Sequence, residues 1–415
     1  MMHMTRRGVV LGGAAGVLSG CLPDIRRTGM REPGAGPTMR PSANAAYDAW
    51  VAAFRPRAEA RGITRATLDA AFRGAGFLPG VVERDRNQTE FTRSLQDYLA
   101  IVASPEKVAE GRARLRARQA LLAEIEGRYG VPSHVVAAIW GVESNYGQRR
   151  GDIPVISAVS TLAYDGRRGA FFESQLIAAL RILQNGDVAP GAMTGSWAGA
   201  MGHTQFIPTT FEAYAVDFRG DGRRDIWADD PTDGLASAAA YLSGSGWQRG
   251  RPWGLEVRLP DGFDAGLAGR GNARGVPEWS ALGLRDAAGG GLPDHGAASI
   301  LIPAGPGGPA FMVFRNFNVI LRYNNSQNYA LGVGYLSDRL AGSAGLRASF
   351  PPDRFGLTIA DRQDLQRRLT ALGFDTGGAD GVIGPRSEAA IRAYQQSAGL
   401  PATGEPSRAL LMRLR

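Results

Sequence analysis

The amino-acid sequence predicts a mainly α-helical protein, with a helical body that carries a small β insertion and a separate C-terminal three-helix bundle. Three observations carry this. Apolar residues recur at helical spacing through much of residues 45–246. Glycine and proline become dense between about residues 250 and 317, where the apolar runs shorten to strand length. After residue 358, amphipathic segments alternate with Gly turns. A chain of 415 residues also exceeds one ordinary core, so two or three domains are expected.

At the amino terminus, Arg6-Arg7 precede a short apolar run, Gly8 to Leu18, which is too brief for a permanent membrane helix and reads as an export signal. The run closes with Leu18-Ser19-Gly20-Cys21, which resembles a bacterial lipobox, where the signal is cut before a cysteine whose thiol is then acylated. Cys21 is the only cysteine, so no internal disulfide forms, and lipid attachment explains its position better than redox chemistry. Thr5-Arg6-Arg7-Gly8-Val9-Val10 also looks like a twin-arginine signal, an ordinary signal with two arginines being the competing reading. Leu22 stands where an aspartate would resemble an inner-membrane retention signal, which favours the periplasmic side of an outer membrane. Residues 1–21 are thus read as a lipoprotein signal with its lipidated cysteine, and residues 22–44, rich in Pro, Gly, Arg and Ser, as a flexible tether.

The folded body spans residues 45–340. Ala45–Ala60, Thr64–Phe72 and Pro105–Tyr129 have helical periodicity, as do Ala170–Gln184, Thr232–Leu242 and Asn328–Leu340. Leu255–Leu259, Ala298–Ile302 and Phe311–Phe314 read as strands of the insertion at about 250–317. A linker at 341–358 leads into the unit at 359–415. The net charge of +8 comes almost wholly from arginine, since Lys107 is the only lysine. No basic block interleaved with aromatics occurs, which speaks against nucleic-acid binding. A mildly basic chain suits an anionic cell-wall polymer or a membrane surface, or only reflects a preference for Arg over Lys.

Chemistry concentrates in Ile139-Trp140-Gly141-Val142-Glu143-Ser144-Asn145-Tyr146-Gly147. Counting from Val136 through Ile139 and Trp140 reaches Glu143 at i, i+3, i+4 and i+7, which puts one carboxyl on or beside an apolar helix stripe. Burial there disfavours the carboxylate, and a carboxyl with a pKa raised to roughly 6–7 can act as a general acid. Taken alone, a Glu near a helix end more often is solvated or caps a loop. A second run, Ser196-Trp197-Ala198-Gly199-Ala200-Met201-Gly202-His203-Thr204-Gln205-Phe206-Ile207-Pro208, supplies hydrogen-bonding groups at Ser196 and Gln205 among small residues. Trp197, Phe206, Tyr146 and Tyr214 are available as aromatic platforms, which together suit a carbohydrate. A tight turn between helices is the plainer reading of that run.

These two runs, followed by Arg322-Tyr323-Asn324-Asn325-Ser326 and Tyr329-Ala330, resemble the membrane-bound lytic transglycosylase B family of peptidoglycan-cleaving enzymes. The resemblance covers about residues 47–340 and implies a lysozyme-like α+β catalytic body. It implies cleavage of the bond between N-acetylmuramic acid and N-acetylglucosamine without water, leaving an anhydro ring on the muramyl end. Glu143 would be the catalytic residue, acid first and base second, while the substrate's acetamido group stabilises the cationic centre. Ser196, Gln205, Tyr323 and Asn324 match groups that line the family's site, and Tyr146 is taken as a further substrate contact. The implied partners are peptidoglycan glycan strands, the membrane through the N-terminal lipid, and cell-wall synthesis enzymes. The protein is expected to be a monomer.

Asp217-Phe218-Arg219-Gly220-Asp221-Gly222-Arg223-Arg224-Asp225 follows calcium-loop spacing, with acids at positions one, five and nine and Gly at six. The family carries an EF-hand-like loop at this place, so Asp217, Asp221, the Arg223 carbonyl and Asp233 are the candidate ligands for a calcium or sodium ion. Arg219 at position three and Ala228 at position twelve depart from the pattern, and Arg219 folding onto Asp217 or Asp221 would replace the cation. No cofactor is required by the chemistry. His3, His134, His203 and His295 lack zinc-ligand spacing, and His203 has a structural and a functional reading.

The C-terminal unit contains Asp364-Leu365-Gln366-Arg367-Arg368-Leu369, Asp380-Gly381-Val382-Ile383-Gly384-Pro385 and Ala390-Ile391-Arg392-Ala393-Tyr394-Gln395. It resembles the three-helix peptidoglycan-binding module of cell-wall enzymes, and tethering such a module raises the local substrate concentration. Two other readings of the whole chain are a hydrolytic muramidase and a non-catalytic wall-binding scaffold.

Overall fold

A computed structural model describes residues 38–87 and 93–414. The export signal, Cys21 and the tether as far as residue 37 lie outside the described residues. Helices dominate from residue 45: α1 (Ala45–Glu59), α2 (Arg65–Phe72), α3 (Pro79–Arg86), α4 (Leu95–Val102), α5 (Pro105–Ala117), α6 (Gln119–Tyr129) and α7 (Ser133–Ser144). Their starts follow local chemistry. Asn44, Thr64, Ser94 and Ser104 each present a side-chain oxygen to a backbone N–H of the first turn. Pro105–Tyr129, which reads as one helical stretch, is two helices, because Arg118 leaves helical geometry at φ −123°, ψ 25°.

The chain continues through β1 (Ile153–Pro154), α8 (Val155–Asp165), α9 (Gly169–Gln184), β2 (Thr194–Gly195), α10 (Pro208–Tyr214) and α11 (Thr232–Gly244). Next come β3 (Gly254–Arg258), α12 (Val276–Ala281), β4 (Arg285–Asp286), β5 (Ser299–Leu301) and β6 (Ala310–Val313). The last elements are α13 (Arg315–Tyr323), α14 (Gln327–Leu340), α15 (Ile359–Ala371), α16 (Pro385–Ser397) and α17 (Arg408–Arg413).

Two cores divide the helical body. One surrounds α7, whose Val135, Val136, Ile139 and Trp140 are buried, with α5, α6, α11 and α14 packed against it and α4 and α13 completing the core. The other lies between α8, α9 and the N-terminal helices, and includes Phe54, Leu68, Val159, Leu176 and Phe211. A helix apolar all round must sit in a core, and α7 is one: among its residues Ser133, His134 and Glu143 alone are not buried. The insertion is a four-stranded antiparallel sheet in the order β4-β3-β6-β5, with Met312 opposite both Leu255 and Ile300. It has its own small core of Val257, Trp279, Ile300, Met312 and Phe314.

The C-terminal bundle of α15, α16 and α17 closes over Leu357, Leu365, Leu369, Ile391, Leu410 and Leu411. It docks on the body through Arg362, which is 4% exposed. The Arg362 guanidinium donates to Asp97 of α4 at 2.8 Å, to Gln96 at 3.1 Å and to Asp353 of the linker at 3.0 Å. A cleft of about 950 Å³ opens beside this clamp, between α4, the start of α5, the linker and α15.

Removing one partner of such a buried network strands the others. Arg362→Ala is expected to cost about 2 kcal/mol, and calorimetry should then resolve a C-terminal transition below that of the body. An unchanged single transition would show that the clamp does not couple the two units.

Candidate active site

The backbone at the end of α7 places the acid. The helix stops at Asn145 (φ 50°, ψ 53°), and Tyr146 (φ 57°) and Gly147 (φ 85°) continue in the left-handed region. Asn tolerates that region and Gly has no Cβ to oppose it, but for a tyrosine it is a strained choice sustained by surrounding contacts. Those contacts are visible. The Tyr146 ring fills the space beside two glycines, where a Cβ on Gly111 or Gly141 would come within 2.2 or 2.7 Å of it. Its hydroxyl donates to the Lys107 carbonyl at 3.0 Å. With the ring 2% exposed, Tyr146 has no face for a sugar, and its expected role as a direct substrate contact is corrected to that of a wedge holding the turn.

Glu143 sits one residue before the end of α7, only partly exposed, in a shell of aromatic hydroxyls. Tyr329 of α14 donates to its Oε1 at 2.6 Å. Burial pushes the carboxyl up to about 7, against the opposing pull of the Tyr329 hydrogen bond and of the Lys107 ammonium. The rings behind Tyr329 form a stack: Tyr323 lies at 6.4 Å and 13°, and Tyr241 meets Tyr323 edge-on at 4.9 Å. Tyr323 donates to the Thr204 carbonyl at 2.6 Å, and Tyr241 to the Arg322 carbonyl at 2.5 Å. Burial, with the charge of Glu143 added, holds the hydroxyls of Tyr329, Tyr323 and Tyr98 above the ordinary tyrosine range, so all three stay neutral donors. Among the described residues, the groups that act on the Glu143 charge are Tyr329, Lys107, Tyr98 and Tyr323, none of them a carboxylate.

The second run folds into a tight hairpin that packs against this stack. Ser196 Oγ accepts from Ala200 N at 3.0 Å and from Ala198 N at 3.3 Å, and Met201 and Phe206 form a bridge. A Cβ on Gly195 would lie 2.2 Å from the Ala200 carbonyl oxygen, which explains the small residue there. Gln205, at φ 52°, donates through Nε2 to Gly202 O at 2.8 Å and Arg150 O at 3.0 Å. Phe206, 1% exposed, packs against Tyr323 at 5.9 Å and is a core ring, not a sugar platform; Trp197 and Tyr214 are partly exposed. Asn324 directly follows Tyr323 as the residue that ends α13. His203 is structural: Nδ1 accepts from Trp140 Nε1 at 3.1 Å, Nε2 donates to Ala228 O at 2.7 Å, and burial pushes its pKa down. Ser144 then donates to His203 O at 2.6 Å, so the two motifs are joined through α7.

Tyr323 and Asn324 therefore share one element, and Tyr323 meets both the hairpin of Ser196 and Gln205 and the Tyr329 that holds Glu143. Sequence reasoning did not single out Tyr329, Tyr98, Tyr241 or Lys107. Tyr329 stood inside a quoted motif, whereas Tyr98 and Lys107 carry no local signal and reach the site only through the packing of α4 and α5.

The loop at 217–228 is held by carboxylate-to-amide hydrogen bonds. Asp217 accepts with both carboxylate oxygens from the amides of Gly220, Asp221 and Gly222 at 2.6–3.1 Å. Asp233 does the same with Phe218 and Asp225, both at 2.9 Å, while Asp221 caps Arg223 N at 3.0 Å. Asp225 turns to the amides of Trp227 and Ala228 at 2.9 Å. Among the described residues no group of three acids, histidines or cysteines converges on a cation position. Arg219 does not cover the acids as expected; it pairs with Glu124 at 2.6 Å and lies over the Phe218 ring.

Fold and site together are a helical body that holds Glu143 beside neutral tyrosines, with a separate helical bundle attached. The chain belongs to the transglycosylase SLT domain family, whose model matches residues 46–338, and residues 358–414 match a putative peptidoglycan-binding domain. It is 33% identical over 220 residues to membrane-bound lytic murein transglycosylase B of Escherichia coli strain K12, a stretch that is 51% of this chain and 58% of that protein. The chain thus spans little more than half of that relative. The structure of SltB3 from Pseudomonas aeruginosa in complex with NAG-NAM-pentapeptide is 51% identical, with a TM-score of 0.73 over 89% of this chain and 99% of that one. The Escherichia coli lytic transglycosylase Slt35 in complex with calcium is 28% identical, with a TM-score of 0.61 over 75% of this chain and 98% of that one.

Two outcomes follow from the site. The Glu143 carboxyl is raised when folded, so the folded protein holds its proton more tightly and loses stability as pH rises from about 4.5 through about 7. Glu143→Gln should therefore melt above the wild type at pH 8, by up to roughly 3 kcal/mol, and the difference should vanish near pH 4. Equal gaps at both pH values would contradict the raised carboxyl. Tyr329→Phe removes a donor that favours the carboxylate, so the fall of kcat at high pH should move to higher pH, with kcat reduced roughly tenfold.

Proposed function

We propose that this protein cleaves the glycosidic bond between N-acetylmuramic acid and N-acetylglucosamine in peptidoglycan without water. The observation that carries the reading is the carboxyl at the end of the buried α7, whose Oε1 accepts from Tyr329 at 2.6 Å and which burial makes a weaker acid, with no carboxylate among the groups that act on it. Paired-carboxylate glycosidases need a second acid as nucleophile or base, and a single acid must serve both halves of the reaction. Glu143 gives its proton to the bridging oxygen as the muramyl C1–O bond breaks, and the substrate's acetamido oxygen stabilises C1. The muramyl C6 oxygen then bonds to C1, its proton returns to the Glu143 carboxylate, and the 1,6-anhydro ring is complete. SltB3 solved in complex with NAG-anhNAM-pentapeptide supports this product for the present chain.

Ser196, Gln205, Tyr323 and Asn324 are proposed to line the sugar-binding groove around that acid. The C-terminal bundle holds the wall, and Arg362 keeps it against α4. No helix among the described residues is long and apolar enough to cross a membrane. An envelope location fits the relatives' cell-wall substrate. Within it, the proposed arrangement is an exported monomer anchored by acylated Cys21 on the periplasmic side of an outer membrane, near cell-wall synthesis enzymes. The reaction needs no metal, and the 217–228 loop is proposed to be a structural turn held by carboxylate-to-amide hydrogen bonds.

Purified sacculi digested with the full chain should release muropeptides ending in the anhydro ring, and Glu143→Gln should release none. Reducing-end muropeptides would sink this reading and support the hydrolytic muramidase. Retained wall turnover by Glu143→Gln would support the scaffold. For the loop, chelation should leave both activity and melting temperature unchanged; a calcium-dependent rise of several degrees would overturn the structural-turn assignment.

A further inference from the structure

Among the lysines and arginines of this chain all but one are arginine, and the exception, Lys107, brings its charge to bear on the acid. Lys107 lies in the first turn of α5, and its Nζ donates to the Gly141 carbonyl at 2.9 Å, two residues before Glu143. That carbonyl also accepts from Asn145 N at 3.2 Å, so the ammonium sits at the C-terminal, negative end of α7. The contact is reciprocal. Tyr146, from the turn after α7, donates back to the Lys107 carbonyl at 3.0 Å, and its ring locks Gly111 of α5 against Gly141 of α7. Two side chains thus cross between the same two elements, one fixing the turn and the other bringing a positive charge to the acid.

A lysine suits this place for two physical reasons. Its compact ammonium donates to one carbonyl without needing the second acceptor that the planar guanidinium fork would. It also presents its charge as a point, next to a carboxyl that alternates between neutral and negative. Resting on the proposed acid-then-base reaction, we propose that Lys107 is the electrostatic positioning residue of Glu143, holding the C-terminal turn of α7 and stabilising the carboxylate that exists between the two proton transfers. Without it, the first proton transfer would leave a negative charge with neutral hydroxyls as its remaining support, chiefly Tyr329.

The charged and titratable groups that face this pair are Tyr329 from α14, Tyr323 from α13, Tyr98 from α4, and Arg149 from the loop after α7, whose like charge opposes that of Lys107. The tyrosines stay neutral over the working range. Burial brings Lys107 down to about 8, which leaves it charged where Glu143 cycles near 7.

The test uses the full chain with Lys107→Gln, which keeps a donor for the Gly141 carbonyl without the charge, and Lys107→Arg, which keeps the charge. The infrared band of the protonated carboxyl that Glu143→Gln removes is followed against pH. In Lys107→Gln its midpoint should move up by about one pH unit, and the high-pH fall of kcat should move with it while kcat at pH 6 drops roughly tenfold. In Lys107→Arg the midpoint should stay within a few tenths of wild type. A midpoint unmoved in Lys107→Gln, with only the melting temperature lowered, would overturn the proposal and leave Lys107 a packing residue. Should Lys107→Gln not fold, Lys107→Met, which keeps the apolar stem and removes the charge, takes its place with the same expected upward movement; no movement there also overturns the proposal. The anhydro product of the wild-type enzyme reads out separately, so failure of the reaction assignment is distinguishable from failure of this one.

Discussion

Much of this structure answers to one requirement, that a single carboxyl be kept out of water without being left alone. A carboxyl in an apolar setting holds its proton near neutrality only if the setting is dry, and it releases the proton only if donors wait for the resulting charge. Glu143 meets both conditions through one hydrogen bond from Tyr329 and one nearby cation, Lys107. α7 is buried so completely because it must carry that carboxyl into the centre of the larger core.

The two motif runs, 139–147 and 196–208, depend on each other through buried polar bonds. Trp140 donates to His203, His203 to the Ala228 carbonyl, and Ser144 to the His203 carbonyl, which fixes α7 against the hairpin of Ser196 and Gln205. Tyr323 adds a third link through Thr204. Each of these groups would be costly if left unpaired, so the network specifies one arrangement of hairpin, acid and tyrosine stack. Trp140 and Ser144 flank the acid in sequence, yet they act as the frame.

Legibility differed by element for physical reasons. Strands of the insertion were readable because short apolar runs stand between dense Gly and Pro, and in the fold Leu255 and Ile300 both pair with Met312. The three helices of the C-terminal bundle were readable from amphipathic spacing and Gly turns. The break at Arg118 was not, since no Gly or Pro marks it. Tyr146 misled because an aromatic beside an acid resembles a sugar platform until its left-handed backbone turns the ring inward beneath Gly141. The calcium spacing is a local pattern that the sequence displays, whereas the bonds of Asp217, Asp221 and Asp233 to backbone amides are visible only in the fold.

By itself the sequence determined the helical body, its β insertion, the C-terminal bundle and the acid on the apolar stripe of α7, because periodicity and contiguous motifs are local properties. Only the tertiary structure decided what surrounds that acid. Tyr98 on α4 and Lys107 on α5 lie far in sequence from Tyr323 on α13 and Tyr329 on α14, and no spacing rule relates the two pairs. Their common effect on one carboxyl arises from helix packing, and the proton affinity that makes Glu143 an acid is a property of that packing, not of the residue.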